Sequence, residues 1–471
     1  MTLFALLFAA ILPTQKLPFS IDASEDAAAE FPGAPHLQAF SFGQWNGKWV
    51  FIGGRTAGYH SVGGGSADFL RADSNQDVWV VDTTSQPART YRAAVSQLPA
   101  RLAPVKDQWT STAQLYFQDG PALYIAGGYG QDRAGNWVTF PLISQVDLPS
   151  LIDGVMKNQL SGVSIAFARS PLVQSAGGQL MKLPDGYFYV VMGHLFQGNY
   201  GAFEGQGEHN GGAVSQTYLN EIRKLRIVRN VEGLSVTLVD TYKDEAAFHR
   251  RDLNVTPILG PGGLGLAAYG GVFTPDTQLS YSHPVYLMGS SPAVDLDFDQ
   301  KMNAYSCAHL LVYEKATQRM FTTFFGGISR HFWDPAAEKF IENARVGSKT
   351  ESTYLDGLQW SDQISTIRRE MGTGRGQTGE FVHAAPLPAF VGADAVFIPA
   401  SAIPRSLPDT DILALDDLPK GRVLAGYLYG GIRAFPYGFP YTKTAKPYNA
   451  GTVPTKVSDL ILRVYLSAVS H

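Results

Sequence analysis

Cysteine is almost missing: the 471-residue chain has one, Cys307. A single thiol excludes a disulfide framework and a zinc site of the finger type, both of which need several. Charge is also scarce, at 17% of residues, with a formal net charge of −4 and no run of Lys or Arg. This excludes the phosphate-neutralising surface that nucleic-acid binding requires. A metal site built from His60, His194, His209 or His331 is an option that no H-x-H or H-E-x-x-H spacing supports, so none is assigned, and no cofactor is expected. Long apolar runs are absent too. Leu3–Leu12 (LFALLFAAIL) is too short to cross a bilayer as a helix and has the length of a signal-peptide core. Small residues at Ala27–Ala28–Ala29 offer a place for a peptidase to cut. Residues 1–20 are therefore read as an export segment, and 21–471 as a single domain of a secreted, periplasmic or cell-surface protein with no membrane span.

Glycine is plentiful, at 49 residues, and aromatics make up 12% of the chain. Together they favour many short strands joined by tight turns. A pattern of "apolar strand, then Gly-Gly" recurs at WVFIGG (Trp49–Gly54), ALYIAGG (Ala122–Gly128), GLAAYGG (Gly265–Gly271), FTTFFGG (Phe321–Gly327) and AGYLYGG (Ala425–Gly431). A variant with one glycine, YFYVVMG (Tyr187–Gly193), fills the remaining gap. Asn46-Gly47, Asp119-Gly120 and Asp185-Gly186 precede three of these strands and suit tight hairpin turns, which need positive φ. Third strands follow at QDVWVVDTT, SQTYLNEIRKLRIV (Ser215–Val228) and SDLILRVYL, and a fourth at LSVTLVDTY. The expected fold is all-β: a β-propeller of six blades, each of four antiparallel strands. A seventh blade would have to lie between Gly327 and Gly431. Because the last strand reads as a third strand, residues around Leu17–Asp22 are expected to close the ring.

The hydrophobic strand ending in Gly-Gly, followed by an outer strand like VWVVD, resembles the kelch blade. Stretches such as WNGKWVFIGGRTAGYH, HRRDLNV, YSCAHLLVYEKATQRMFTTFFGG and VLAGYLYGGI resemble a group of secreted kelch-type propellers of Bacteroidetes bacteria. No activity is established for that group, so the resemblance implies fold and export.

Polar residues gather in the loops after the glycines, and the blade-linking segments are expected to open on the same face. The ligand-binding candidates are Arg55, His60, His194, His209, Arg250, Arg251, Arg330, His331, Trp333 and Arg433. Tyr59, Tyr200, Tyr281 and His283 accompany them, and other linkers bring Trp109 and His383 toward that face. The arginine forks of His249–Asp252 suit a carboxylate, sulfate or phosphate. Each feature has a plainer role as well: the Gly-Gly pairs are structural, Asp252 is a partner for Arg250 or Arg251, and Cys307 is a small core residue.

Taken together, a basic, aromatic rim suits an anionic glycan or small acid, bound by a monomer. The competing readings are an enzyme on acidic sugars, either polysaccharide lyase-like or sialic acid mutarotase-like, and a protein-interaction scaffold. The enzyme reading gains if two of His60, His194 and His331 meet at one point of a cleft beside an arginine, and loses if they splay around a wide rim. No catalytic residue is assignable from spacing alone.

Overall fold

A computed structural model describes residues 16–60, 69–200, 214–347, 355–372, 378–436 and 447–469. The chain is an antiparallel β-propeller: six sheets of four or more strands follow one another in chain order. The first sheet holds Ser41–Trp45, Lys48–Ile52, Asp77–Asp82 and Arg89–Ala94. In the second, Thr112–Asp119 leads through Ala122–Gln131 and Leu142–Asp147 to Ile165–Arg169. The third runs Gln179–Lys182, Phe188–Val191, Glu221–Asn230, Gly233–Lys243, and the fourth begins at Asn254–Gly260 and Gly263–Tyr269. In the fifth, His309–Glu314 pairs with Arg319–Ser329, then Gln359–Glu370 and Thr378–Val382.

The sixth sheet is assembled from both ends of the chain. Ala395–Pro399, Arg422–Gly430 and Ile461–Ala468 are completed by Phe19–Asp26. Phe19 and Ile21 are buried in the core of that sheet. The ring is thus closed where the sequence placed the closing strand. The strand begins at Phe19, inside the segment set apart as 1–20, and cutting at Ala27–Ala29 would remove it altogether.

Between Gly327 and Gly431 the described residues hold no further blade. QISTIRRE belongs to the third strand of the fifth sheet, and DAVFIPA supplies the first strand of the sixth. SQTYLNEIRKLRIV, read as one strand, is two. Ser215–Tyr218 pairs with His194–Gln197 in an extension of the second sheet, and Glu221–Asn230 enters the third. Asn220, between them, has φ +53°, so the direction changes there.

The Gly-Gly pairs have one shared task. The second residue of each donates its N–H to a carbonyl on the linker of the next sheet. The bonds are Gly54 to Ser111, Gly128 to Ser175, Gly193 to Arg250, Gly271 to Ala304, Gly327 to Val391 and Gly431 to Leu37, all 2.6–3.0 Å. Reaching those carbonyls requires positive φ and close backbone approach. At Gly127 (φ +60°) a Cβ would stand 1.9 Å from the Ser175 carbonyl oxygen, and at Gly326 (φ +57°) 2.2 Å from that of Val391. Only in the third sheet does a side chain occupy the first position, Met192, at φ +56°.

Candidate functional site

A second set of backbone bonds runs the other way round the axis and defines the site. Ala113 donates to Ala39 (3.2 Å), Gly177 to Ala113 (3.3 Å), Asp252 to Gly177 (2.6 Å), Ser306 to Asp252 (2.7 Å), Asp394 to Ser306 (3.0 Å) and Ala39 to Asp394 (3.2 Å). The ring is complete, with one residue from the head of each inner strand. Five of the six have φ between +49° and +63°, Ser306 being the exception. Left-handed backbone at non-glycine residues is costly and persists only where the surroundings impose it, as this ring does. Its side chains are unevenly distributed. Ala39, Ala113 and Gly177 leave one half bare, whereas Asp252, Ser306 and Asp394 make the other half polar.

The ring opens onto a cavity of about 1370 Å³ along the propeller axis. Arg55, Tyr59, His60, Phe69, His194, Tyr200, Arg251 and Tyr305 line it beside the ring. The Arg251 guanidinium donates to Tyr218 Oη (3.2 Å), Asp252 Oδ2 (2.5 Å) and Tyr200 Oη (3.2 Å). Burial works against its charge, but the Tyr200 hydroxyl and Asp252 carboxylate outweigh that and hold its pKa well above the ordinary value. Asp394 behaves differently. Burial first, then the nearby Asp252 charge, pushes its carboxyl up to about 7, with Arg55 opposing. His194 is kept neutral by burial and by Arg251, and its Nδ1 lies 2.7 Å from the Gln216 amide nitrogen. If Gln216 donates there, the ring proton sits on Nε2.

Aromatic rings pack around these charges. Tyr59 stacks on His60 (centroids 4.2 Å apart), His60 meets Tyr200 at 4.8 Å, and Arg55 lies 4.3 Å over Phe69. The site therefore offers guanidinium donors, carboxyl acceptors, one of them able to titrate near neutrality, and aromatic faces within one cavity.

The candidates read from the sequence divide sharply. Arg55, His60, His194 and Arg251 converge on the cavity, with Tyr59 and Tyr200. Arg250, Arg330, His331, Trp333 and Arg433 do not line it. Arg250 is 1% exposed, and its donors go to the carbonyls of Ala247 (2.6 Å), Gly270 (3.0 Å) and His283 (2.9 Å), with Tyr281 under the guanidinium. It braces the linker and does not face the cavity. Arg330 pairs with Glu342 at 2.7 Å, and Arg433 with Asp459 at 2.9 Å. His331 and Trp333 lie on an outward hairpin, His331–Asp334 paired with Lys339–Glu342. They are carried away because the preceding strand continues past its glycines to Ser329 through a bulge. Trp109 is core, its indole donating to Ser144, and His383 packs on Phe19 beside Thr366. Cys307 is buried, as expected. His209 lies outside the described residues.

Asp394 escaped notice in the sequence although its strand, DAVFIPA, was found. The signal was positional: Asp394 stands at the head of an inner strand, as Asp252 does in RRDLNV. Aligning strand heads, rather than the loops after the glycines, finds both. Among the described residues no three His, Cys, Asp or Glu side chains gather as a metal site, and no helix is long and apolar enough to cross a membrane.

No protein-family model matches the chain. No curated protein matches it either. The kelch resemblance therefore rests on the repeats themselves. Among solved structures, one described as "Structure of YjhT" aligns with 91% of this chain and 99% of its own, at 12% identity and a TM-score of 0.45.

Proposed function

We propose that this propeller binds a small anionic sugar or sugar acid inside its axial cavity, at the polar half of the ring. The observation that carries the reading is the convergence of Arg55 and Arg251 with Asp252, Asp394 and the rings of Tyr59 and Tyr200. Arginine forks suit a carboxylate, carboxyl groups accept sugar hydroxyls, and aromatic faces cover the apolar side of a sugar ring. The proposal moves the ligand from an open rim to an enclosed cavity, which favours a small molecule over a long polymer. Export from the cytoplasm belongs to the same proposal, supported by the Leu3–Leu12 run. Any cleavage must then fall before Phe19, and N-terminal sequencing of the exported protein checks this.

One observation favours an enzyme on the same ligand. A carboxyl with pKa about 7 beside tyrosines and a neutral histidine is fitted to move protons at physiological pH. Such a group serves either a lyase-like or a sialic acid mutarotase-like step.

The test is calorimetric titration with a panel of uronates and sialate, following unsaturated products by absorbance and anomeric exchange by NMR. Binding that is lost in Arg251→Met and kept in Arg330→Ala supports the cavity. Failure of the whole panel to bind overturns it and leaves the scaffold reading. Turnover that is lost in Asp394→Asn decides for the enzyme.

A further inference from the structure

Farther along the axis, the cavity carries a second group of polar side chains unconnected with the ring. Tyr116 lies three residues beyond Ala113 and His309 three beyond Ser306, so each stands roughly 10 Å down its inner strand from the ring. The other four inner strands present Phe42, Leu180, Val255 and Phe397 at that position, and all six side chains line the cavity. Tyr116 and His309 are thus the only polar side chains of that layer. They belong to the second and fifth sheets, which face each other across the axis.

An unusual strand brings a third group to them. Ile412–Ala414 lies parallel to the fifth sheet's inner strand, on the edge that faces the axis, with Ile412 beside Leu311. The segment leading into it, Leu407 to Asp411, lines the cavity. The residue before the strand, Asp411, falls beside Leu310 and next to His309. Asp411 lines the same cavity as Tyr116 and His309. Its carboxylate is held by Arg405, which also donates to the Thr410 carbonyl (2.9 Å). His309 Nδ1 lies 3.2 Å from the Cys307 carbonyl and donates there, which leaves Nε2 as an acceptor. Neither that nitrogen nor the Tyr116 hydroxyl has a hydrogen-bond partner among the described residues.

We propose that this floor is a second subsite, holding the neutral, hydroxyl-bearing sugar unit of a two-unit ligand whose acidic unit sits at the ring. The chemistry is that of a neutral sugar. Asp411 is already countered by Arg405, so the floor selects neither a carboxylate nor an ammonium group. An imidazole acceptor and a phenol suit hydroxyls, and Phe42 and Phe397 offer faces for a pyranose. The volume agrees: about 1370 Å³ exceeds the usual range for a single small molecule.

The inference rests on the ring-bound acid proposed above, so the test separates the two. Glucuronic acid, an aldobiuronic acid (glucuronate joined to a neutral hexose) and cellobiose are titrated into the full chain and into Tyr116→Phe, His309→Gln and Asp411→Asn. Thermal melts confirm that each variant is folded, and Tyr116→Phe removes only an oxygen. The aldobiuronic acid should bind about tenfold more tightly than glucuronic acid. Tyr116→Phe and His309→Gln should erase that gain while leaving glucuronic acid affinity unchanged. Equal affinity of the two acids for the unmodified protein overturns the second subsite and leaves the ring reading standing. If neither acid binds, the ring reading falls. Cellobiose binding that is weakened by Tyr116→Phe would then support the floor alone, and absence of cellobiose binding would overturn it too.

Discussion

Asp252 and Asp394 stand on either side of Ser306 in a hydrogen-bonded ring, so two carboxyls face one cavity from the fourth and sixth sheets. Asp252 has a guanidinium in direct contact, Arg251 at 2.5 Å. Burial, and then the Asp252 charge, makes the Asp394 carboxyl hold its proton up to about pH 7. The first two predictions follow from that asymmetry.

Affinity for an anionic ligand should fall as pH rises through about 7, when Asp394 ionises. Arg251 keeps its charge across this range, and His194 stays neutral. One added negative charge near the ligand is worth roughly 1–2 kcal/mol, about tenfold in affinity. Calorimetry between pH 6 and 8 should show this slope, and Asp394→Asn should abolish it. An unchanged slope in the variant would remove Asp394 from the site.

Stability should carry the same signature with a defined sign. The unfolded chain releases the Asp394 proton near 3.8, whereas the folded protein keeps it to about 7. Between those values the folded state binds more protons, so stability decreases as pH rises. Glu380 adds to the trend: burial raises it to about 7, although it accepts N–H groups from Lys301 (2.7 Å) and Met302 (3.1 Å). Melting temperatures measured from pH 4 to 8 should fall less steeply in Asp394→Asn than in the unmodified protein.

Gly326→Ala should destabilise by about 3 kcal/mol or more, since its Cβ would strike a carbonyl oxygen at 2.2 Å on a backbone of φ +57°. Arg330→Ala, four residues on, removes a surface pair and should cost under about 1 kcal/mol. Urea denaturation of the two variants compares them directly. Equal losses would contradict the division between structural glycine and peripheral loop.

Phe19→Asp should cost about 3–5 kcal/mol, because it buries a charge against Phe321 in the closing sheet. Limited proteolysis should then cut first in the sixth sheet. A variant that melts like the unmodified protein would show that the closing strand is dispensable.

Much of the fold was legible because its signals are local. Each glycine pair marks a place where φ must be positive, and each Asn-Gly or Asp-Gly marks a hairpin, so the repeat announces itself. The site was legible only in part. Arg55, His60, His194 and Arg251 were found because loops and linkers do share a face. Arg330 and Arg433 also follow a glycine pair, but three and two residues on rather than directly after it, and they point elsewhere, because the strand before Arg330 overruns its glycines and Asp459 holds Arg433 aside. Such local detours leave no trace in a motif. Asp394 and His309 became visible only when strand heads were aligned through the hydrogen-bonded ring, which is a property of the assembled molecule.

Closure by Phe19–Asp26 also fixes an order of events. The strand that seals the propeller is synthesised well before Ile461–Ala468 and must wait for it before it has a partner. Until then the sixth sheet lacks its outer strand, and the bond from Ala39 to Asp394 that completes the ring joins residues made far apart in time. The cavity, and whatever it binds, therefore comes into being only once Ile461–Ala468 has been made.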